Sequence, residues 1–129
     1  MDKAVRAILD TSVVIATVQP LDGELAISAI TLAELHFGVL VANEQRVRSE
    51  RLRRLLVVQR KFDTLPVDDT VAASYGQVAA AVVDAGRQPR ARSMDLLIAA
   101  TAHAHSARLY TRNADDFGGL GDLVDVVPV

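Results

Sequence analysis

The chain has 129 residues, a mass of 13.8 kDa and a formal net charge of −2. Half of its residues are hydrophobic and 23% are charged, which is enough for a core in one domain spanning 1–129 and excludes disorder and collagen-like repetition. With no cysteine, disulfides, thiolate zinc sites and a cysteine nucleophile are excluded, and with 14 basic against 16 acidic residues so is a generally basic nucleic-acid coat.

In chain order, 5–9 (Val-Arg-Ala-Ile-Leu) reads as a strand ending at Asp10. Thr11-Ser12 caps a short helix to about Val18, and 19–23 is a loop. A strand at 25–27 precedes helices over about 31–42 and 44–62. In the longer helix Val47, Leu55, Val58 and Phe62 share a face, opposite Arg46, Arg53 and Arg60. Residues 64–67 are extended. Asp68 or Asp69 then caps a helix to about Ala85 with Val71, Tyr75, Val78 and Val82 as its core stripe. A polar link over 86–92 leads to a helix from Ser93 to about His105. A strand at 109–111, a turn at 113–117 and a last strand at 124–127 complete the chain. Strands alternating with helices favour a parallel sheet covered on both faces. The opening segment is too short in apolar residues for a secretory signal, and no apolar run approaches the roughly 18 residues of a membrane span. The cytoplasm is therefore the expected compartment.

Ligands of open α/β sheets bind at the carboxyl ends of the strands. Asp10 follows the first strand, and Asn113, Asp115 and Asp116 follow the strand at 109–111. Glu34 and Asp95 lie early in helices and within apolar sequence. Each has an ordinary alternative. Asp10 suits an N-cap, Thr31-x-x-Glu34 a capping box, Asp95 a helix dipole and Asn113 with its aspartates an Asx turn. A carboxylate in apolar surroundings needs a partner or a cation, and the local counter-charges are Arg92 and Arg112. Two carboxylates about 4 Å apart repel by roughly 4 kcal/mol at an effective dielectric near 20. Convergence of the acids would therefore imply protonation or a divalent cation. All-oxygen ligands point to Mg²⁺ or Mn²⁺. Ser12 and Ser93 lack a base, and His103 and His105 point to different helix faces.

Ile8-Leu9-Asp10-Thr11-Ser12-Val13, Ser28-Ala29-Ile30-Thr31-Leu32-Ala33-Glu34-Leu35, Asp95-Leu96-Leu97-Ile98-Ala99-Ala100-Thr101-Ala102 and Leu109-Tyr110-Thr111-Arg112-Asn113-Ala114-Asp115-Asp116-Phe117 together resemble the PIN-domain ribonucleases. The likeness is to the VapC-type toxins of prokaryotic toxin–antitoxin pairs. It implies an α/β fold, a three-layer α/β/α sandwich with a central parallel sheet. It also implies a Mg²⁺-dependent endoribonuclease, with Mn²⁺ as a substitute, acting as a homodimer and blocked in a higher assembly by a small VapB-like antitoxin. The resemblance carries catalytic roles to Asp10, Glu34, Asp95 and Asp116, with Asp10 and Asp95 as the main metal ligands. Asp115 is the alternative fourth acid, since the T-x-N-x-x-D-F pattern selects Asp116 but leaves its neighbour open. Thr11, Ser12 and Asn113 are supporting positions. Arg92 and Arg112 are candidate substrate contacts, whereas the Arg-rich helix (Arg46, Arg48, Arg51, Arg53, Arg54, Arg60) fits RNA, antitoxin or solvent. A PIN-fold nuclease outside toxin–antitoxin systems, and a catalytically silent binding protein of the same fold, are the alternatives.

Overall fold

The computed structural model describes residues 6–16, 21 and 23–129. The expected strand residue Val5, the expected helix end Val18 and most of the 19–23 loop lie outside the described residues. The elements run β1 (Arg6–Leu9), α1 (Thr11–Val14), β2 (Glu24–Ser28), α2 (Ala29–Leu40), α3 (Gln45–Lys61), β3 (Asp63–Leu65), α4 (Asp69–Asp84), α5 (Ser93–Ala104), β4 (Arg108–Thr111) and β5 (Val126–Pro128). Two short 3₁₀ turns, Pro89–Arg92 and Ala114–Phe117, precede α5 and follow β4.

The five strands form one parallel sheet in the order β3-β2-β1-β4-β5. β1 is central and its Ala7, Ile8 and Leu9 are all buried, as expected for a strand covered on both faces. Alternation along the strands sorts the core into two layers. Ile8 and Leu109 face Val78 and Val82 of α4 and Leu96, Ile98 and Ala99 of α5. Ala7, Leu9, Ile27 and Tyr110 face Val13 of α1, Leu35 and Val39 of α2, and Leu55 and Val58 of α3. The result is the expected α/β/α sandwich.

Local chemistry explains the boundaries. Asp68 caps α4 by accepting from the Val71 amide at 3.0 Å, which settles that choice against Asp69. Ser28 caps α2 by accepting from the Ile30 amide at 3.0 Å, so that helix starts at Ala29, before the expected position. The last strand begins at Val126, later than expected, because Val124 turns into the core against α4 and α5. α3 buries Leu55 and Val58 and leaves Arg46, Arg53 and Arg60 in solvent. Arg48 and Arg51 have local work there, donating to the Ala42 and Gly38 carbonyls at 2.9 and 2.7 Å and so tying α3 to the end of α2. Among the described residues no helix is long and apolar enough to cross a membrane.

α5 carries the site's Asp95 on a helix buried almost all round, and Ile98 is fully buried between α4 and the sheet. Ile98→Ala should cost about 2–5 kcal/mol of unfolding free energy. Chemical denaturation followed by circular dichroism measures this directly.

Candidate active site

The carboxyl ends of β1 and β4 lie side by side, and Asp10 begins there. Its amide donates to the Tyr110 carbonyl at 2.9 Å, which continues the β1–β4 ladder into the turn. The side chain is almost completely buried yet well supplied with donors. Oδ1 accepts from the Thr11 amide, and Oδ2 accepts from the hydroxyls of Ser12 and Thr111, all at 2.8 Å. Asp10 is thus the cap of α1, and the cap is only part of its role. A carboxylate offers about four lone-pair sites, so three donors leave acceptor capacity for one more positive partner.

The hydroxyls are themselves held. Ser12 Oγ accepts from the Arg112 amide at 3.1 Å, and Thr111 Oγ1 accepts from the Asn113 amide at 3.0 Å. Each therefore passes a backbone N–H through a hydroxyl to Asp10, a chain in which each bond polarises the next. Thr11 sends its hydroxyl the other way, donating to Glu34 Oε1 at 2.7 Å and lying 3.0 Å from the Thr31 hydroxyl. Glu34 sits in the second turn of α2, beyond reach of that helix's free amides, so the capping-box reading of Thr31-x-x-Glu34 does not hold.

Asp95 lies in the first turn of α5 and Asp116 in the 3₁₀ turn after β4. Arg92 spans them, with Nη1 2.8 Å from Asp116 Oδ1 and 3.7 Å from Asp95 Oδ2. The Asp95 carboxyl is pushed above the usual carboxylate range, first by burial and then by the negative charges of Asp10, Asp116 and Glu34, while Arg92 pulls it back. Those three acids are thus close enough to act on Asp95, and the four carboxylates share one electrostatic neighbourhood. Asp115 is exposed and contributes its carbonyl, which accepts from Arg87 Nη1 at 3.3 Å, so Asp116 is the residue of the pair that joins the others.

The supporting positions behave differently from one another. Thr11 and Ser12 hold Glu34 and Asp10 through their side chains. Asn113 acts through its backbone, with its amide on Thr111 and its carbonyl accepting from the Asp116 amide at 2.9 Å. Arg112 likewise contributes its amide, and its side chain is exposed. Thr111 and Thr31, both fully buried, are members of the network that sequence reasoning missed. The signal lay in their place, since a polar residue at the inward position of a strand end or an apolar helix needs a partner. His103 belongs elsewhere, its Nδ1 standing 2.8 Å from Ser74 Oγ between α5 and α4.

The donor set suits a hard divalent cation, with carboxylate oxygens alone and four negative charges against one guanidinium. In the present rotamers no three of the described acidic or histidine side chains close around a single point, consistent with Asp116 being drawn onto Arg92.

Comparison with known proteins gives the same picture. The model of the family described as PIN domain matches residues 7–121. Ribonuclease VapC5 of Mycobacterium tuberculosis is 39% identical over 126 residues, covering 92% of this chain and 90% of the relative. Toxin FitB of Neisseria gonorrhoeae is 32% identical over 126 residues, covering 85% and 89%. Among solved structures, the VapBC-5 toxin–antitoxin complex of M. tuberculosis includes a chain that superposes with a TM-score of 0.86 at 36% identity, over 97% of this chain and 99% of that one. A chain of the N. gonorrhoeae FitAcB structure matches with a TM-score of 0.76 at 29% identity, over 93% and 95%.

A carboxyl with a higher pKa folded than unfolded binds its proton more readily in the folded state. In EDTA, stability should therefore fall as pH rises from the ordinary carboxylate value of Asp95 through its raised one. Asp95→Asn removes that loss. At neutral pH in EDTA the variant should melt above wild type by roughly 3–5 °C, about 1 kcal/mol. The two curves should converge below the ordinary carboxylate range. Thermal melts across that pH series check both the sign and the window.

Proposed function

Because this chain belongs to the PIN-domain family, we propose that its acidic edge is the centre of a metal-dependent endoribonuclease that serves as the toxin of a toxin–antitoxin pair. One observation carries the reading: carboxylates from separate parts of the chain share one electrostatic neighbourhood beside a sheet's carboxyl edge, with Asp10 held by three hydrogen bonds. Such an arrangement is costly to the fold and has value where a cation and a phosphodiester must be held together.

The assigned ion is Mg²⁺, with Mn²⁺ as a substitute, and the residues assigned to hold it are Asp10 and Asp95, supported by Glu34 and Asp116. When bound, it supplies Lewis acidity toward the phosphate and toward water. The chain's own groups do the rest. Glu34 or Asp116 orients the attacking water and takes its proton. Attack at phosphorus breaks the bond to the 3′ oxygen and leaves a 5′-phosphate and a 3′-hydroxyl. No 2′-hydroxyl is needed as nucleophile. Arg92, half exposed beside Asp116, is a fork that suits a phosphate, and Arg112 is an exposed second contact at the same edge.

The partner is assigned as a VapB-like antitoxin. Two features support this. A groove of about 290 Å³ runs between α1, α2 and α3 past Ile15, Leu35 and Gly38 to Glu34, so a segment lying in it would reach the acids. On the same two helices, α2 and α3, Phe37, Leu40, Leu52 and Leu56 are exposed apolar side chains, at 67, 76, 44 and 44%. Large apolar side chains left exposed on two neighbouring helices suit a protein interface. The working form is taken as a homodimer of one-domain chains (1–129) in the cytoplasm, joined to the antitoxin in a larger assembly.

Asp10→Ala and Asp95→Ala should each lower Mg²⁺-dependent RNA cleavage at least a hundredfold while circular dichroism shows a folded chain, and Asp116→Asn should be far more damaging than Asp115→Asn. Gel assays on structured RNA, with EDTA controls, measure this. Greater loss at Asp115 than at Asp116 would move the fourth acid to Asp115. Expression alone should arrest growth, and co-expression with the antitoxin should restore it. Harmless expression of a folded, RNA-cutting chain would instead favour an RNA-processing nuclease.

A further inference from the structure

On the α4 side of the acids lies a second hollow, of about 300 Å³. Its floor is apolar, from Val82 of α4 and Leu96 of α5. Its rim is polar, from Arg87, Gln88, Arg92 and Asp116. Two of those rim residues, Arg92 and Asp116, are the ion pair of the acidic edge, so hollow and acids share a wall. An apolar floor with a few convergent polar groups, at this volume, is the ordinary form of a small-ligand site.

The placing of Arg87 gives the hollow a direction. A Cβ built on Gly118 would lie 2.7, 2.8 and 2.9 Å from Arg87 Nη2, Cζ and Nη1. Near-equal distances to three atoms of a planar group mean that the guanidinium lies face-on to the glycine. Gly118 thus provides the space in which Arg87 lies flat against the backbone. Among the described residues the guanidinium makes one hydrogen bond, to the Asp115 carbonyl at 3.3 Å, which uses one of five donors. Beside it Gln88 is exposed and has no hydrogen-bond partner for its side chain among the described residues, which leaves an amide donor and acceptor on the rim.

We infer that this hollow is the subsite for the nucleotide adjoining the scissile phosphate of single-stranded RNA. Its base stacks on the Arg87 guanidinium over the Val82–Leu96 floor, Gln88 bonds the base edge, and Arg92 meets the phosphate. The inference rests on the endoribonuclease reading and adds the residues that set sequence preference. The chemistry matches. Unpaired bases are recognised by stacking on aromatic or guanidinium planes and by hydrogen bonds to their edges. Among the described residues no aromatic side chain lines this hollow, so a guanidinium plane is the platform available there. The loop is short of regular structure but tied down, with the Arg87 amide on the Val82 carbonyl at 3.0 Å.

Two substitutions outside the acidic edge test it. Gly118 has a φ of −64°, which alanine adopts freely, and the group an added methyl meets is a flexible side-chain end, so Gly118→Ala displaces Arg87 with the fold intact. In a non-cleaving Asp10→Asn background, Gly118→Ala should weaken binding of a short single-stranded RNA about tenfold by fluorescence anisotropy, the scale of one lost stacking contact. In the otherwise native chain, Gln88→Leu should change the base frequencies flanking the cut in a randomised RNA pool, with the melting shift caused by Mg²⁺ unchanged. If wild type cuts RNA and both variants keep its affinity and base frequencies, the subsite is wrong and the nuclease reading stands. If wild type cuts no RNA with Mg²⁺ present, both fall together.

Discussion

Like charges gathered in a half-dry place repel, and a fold tolerates this only with enough local compensation. Here the compensation is uneven. Asp10 is secured by three donors, Glu34 by one hydroxyl, and Asp95 and Asp116 share a single arginine that stands nearer to Asp116. The residual strain falls on Asp95, whose proton is held more tightly than an ordinary aspartate's because of its burial and its three acidic neighbours. The site is therefore graded, from a carboxylate fixed in position to a pair that a stronger cation could draw away from Arg92.

The sheet order makes this grading possible. With β1 at the centre and β4 beside it, the two strand ends that carry polar residues are neighbours, and the hydroxyl of Thr111 reaches Asp10 across a separation of 101 residues. Buried polar groups without partners would be expensive. Among the described residues no buried side-chain polar atom lacks a hydrogen bond. Ser12, Thr31 and Thr111 accordingly serve two purposes, filling space beneath the acids and aiming them. An alanine or valine at any of these three would keep the volume or the shape and lose the aim.

Much of this is legible in the sequence. Alternating strands and helices specified parallel layers, and the apolar neighbours of Glu34 and Asp95 marked them as acids that needed a reason. What stayed hidden depends on distant contacts. Strand order has no local signature, so the partnership of Thr111 with Asp10 could not be read. The spacing Thr31-x-x-Glu34 matches a helix start, and only the cap at Ser28, three residues before the expected start of α2, removes Glu34 from that role. The difference between Asp115 and Asp116 turns on a tertiary contact, since Asp116 pairs with Arg92 while Asp115 is exposed. The six arginines of the α3 sequence are also better resolved by contacts than by pattern, since Arg48 and Arg51 are fastened to the Ala42 and Gly38 carbonyls and Arg46 pairs with Glu50 one turn on.

The most direct test of the central claim is a series of thermal melts of the full chain in EDTA and in rising Mg²⁺. A cation that binds the folded cluster stabilises it by mass action. The melting temperature should climb with the logarithm of Mg²⁺ concentration once the site is half filled, and the climb should be largely abolished in an Asp10→Asn, Asp95→Asn double variant. A melting temperature that ignores Mg²⁺, or one that rises equally in the double variant, would contradict the claim that these four carboxylates form a cation site.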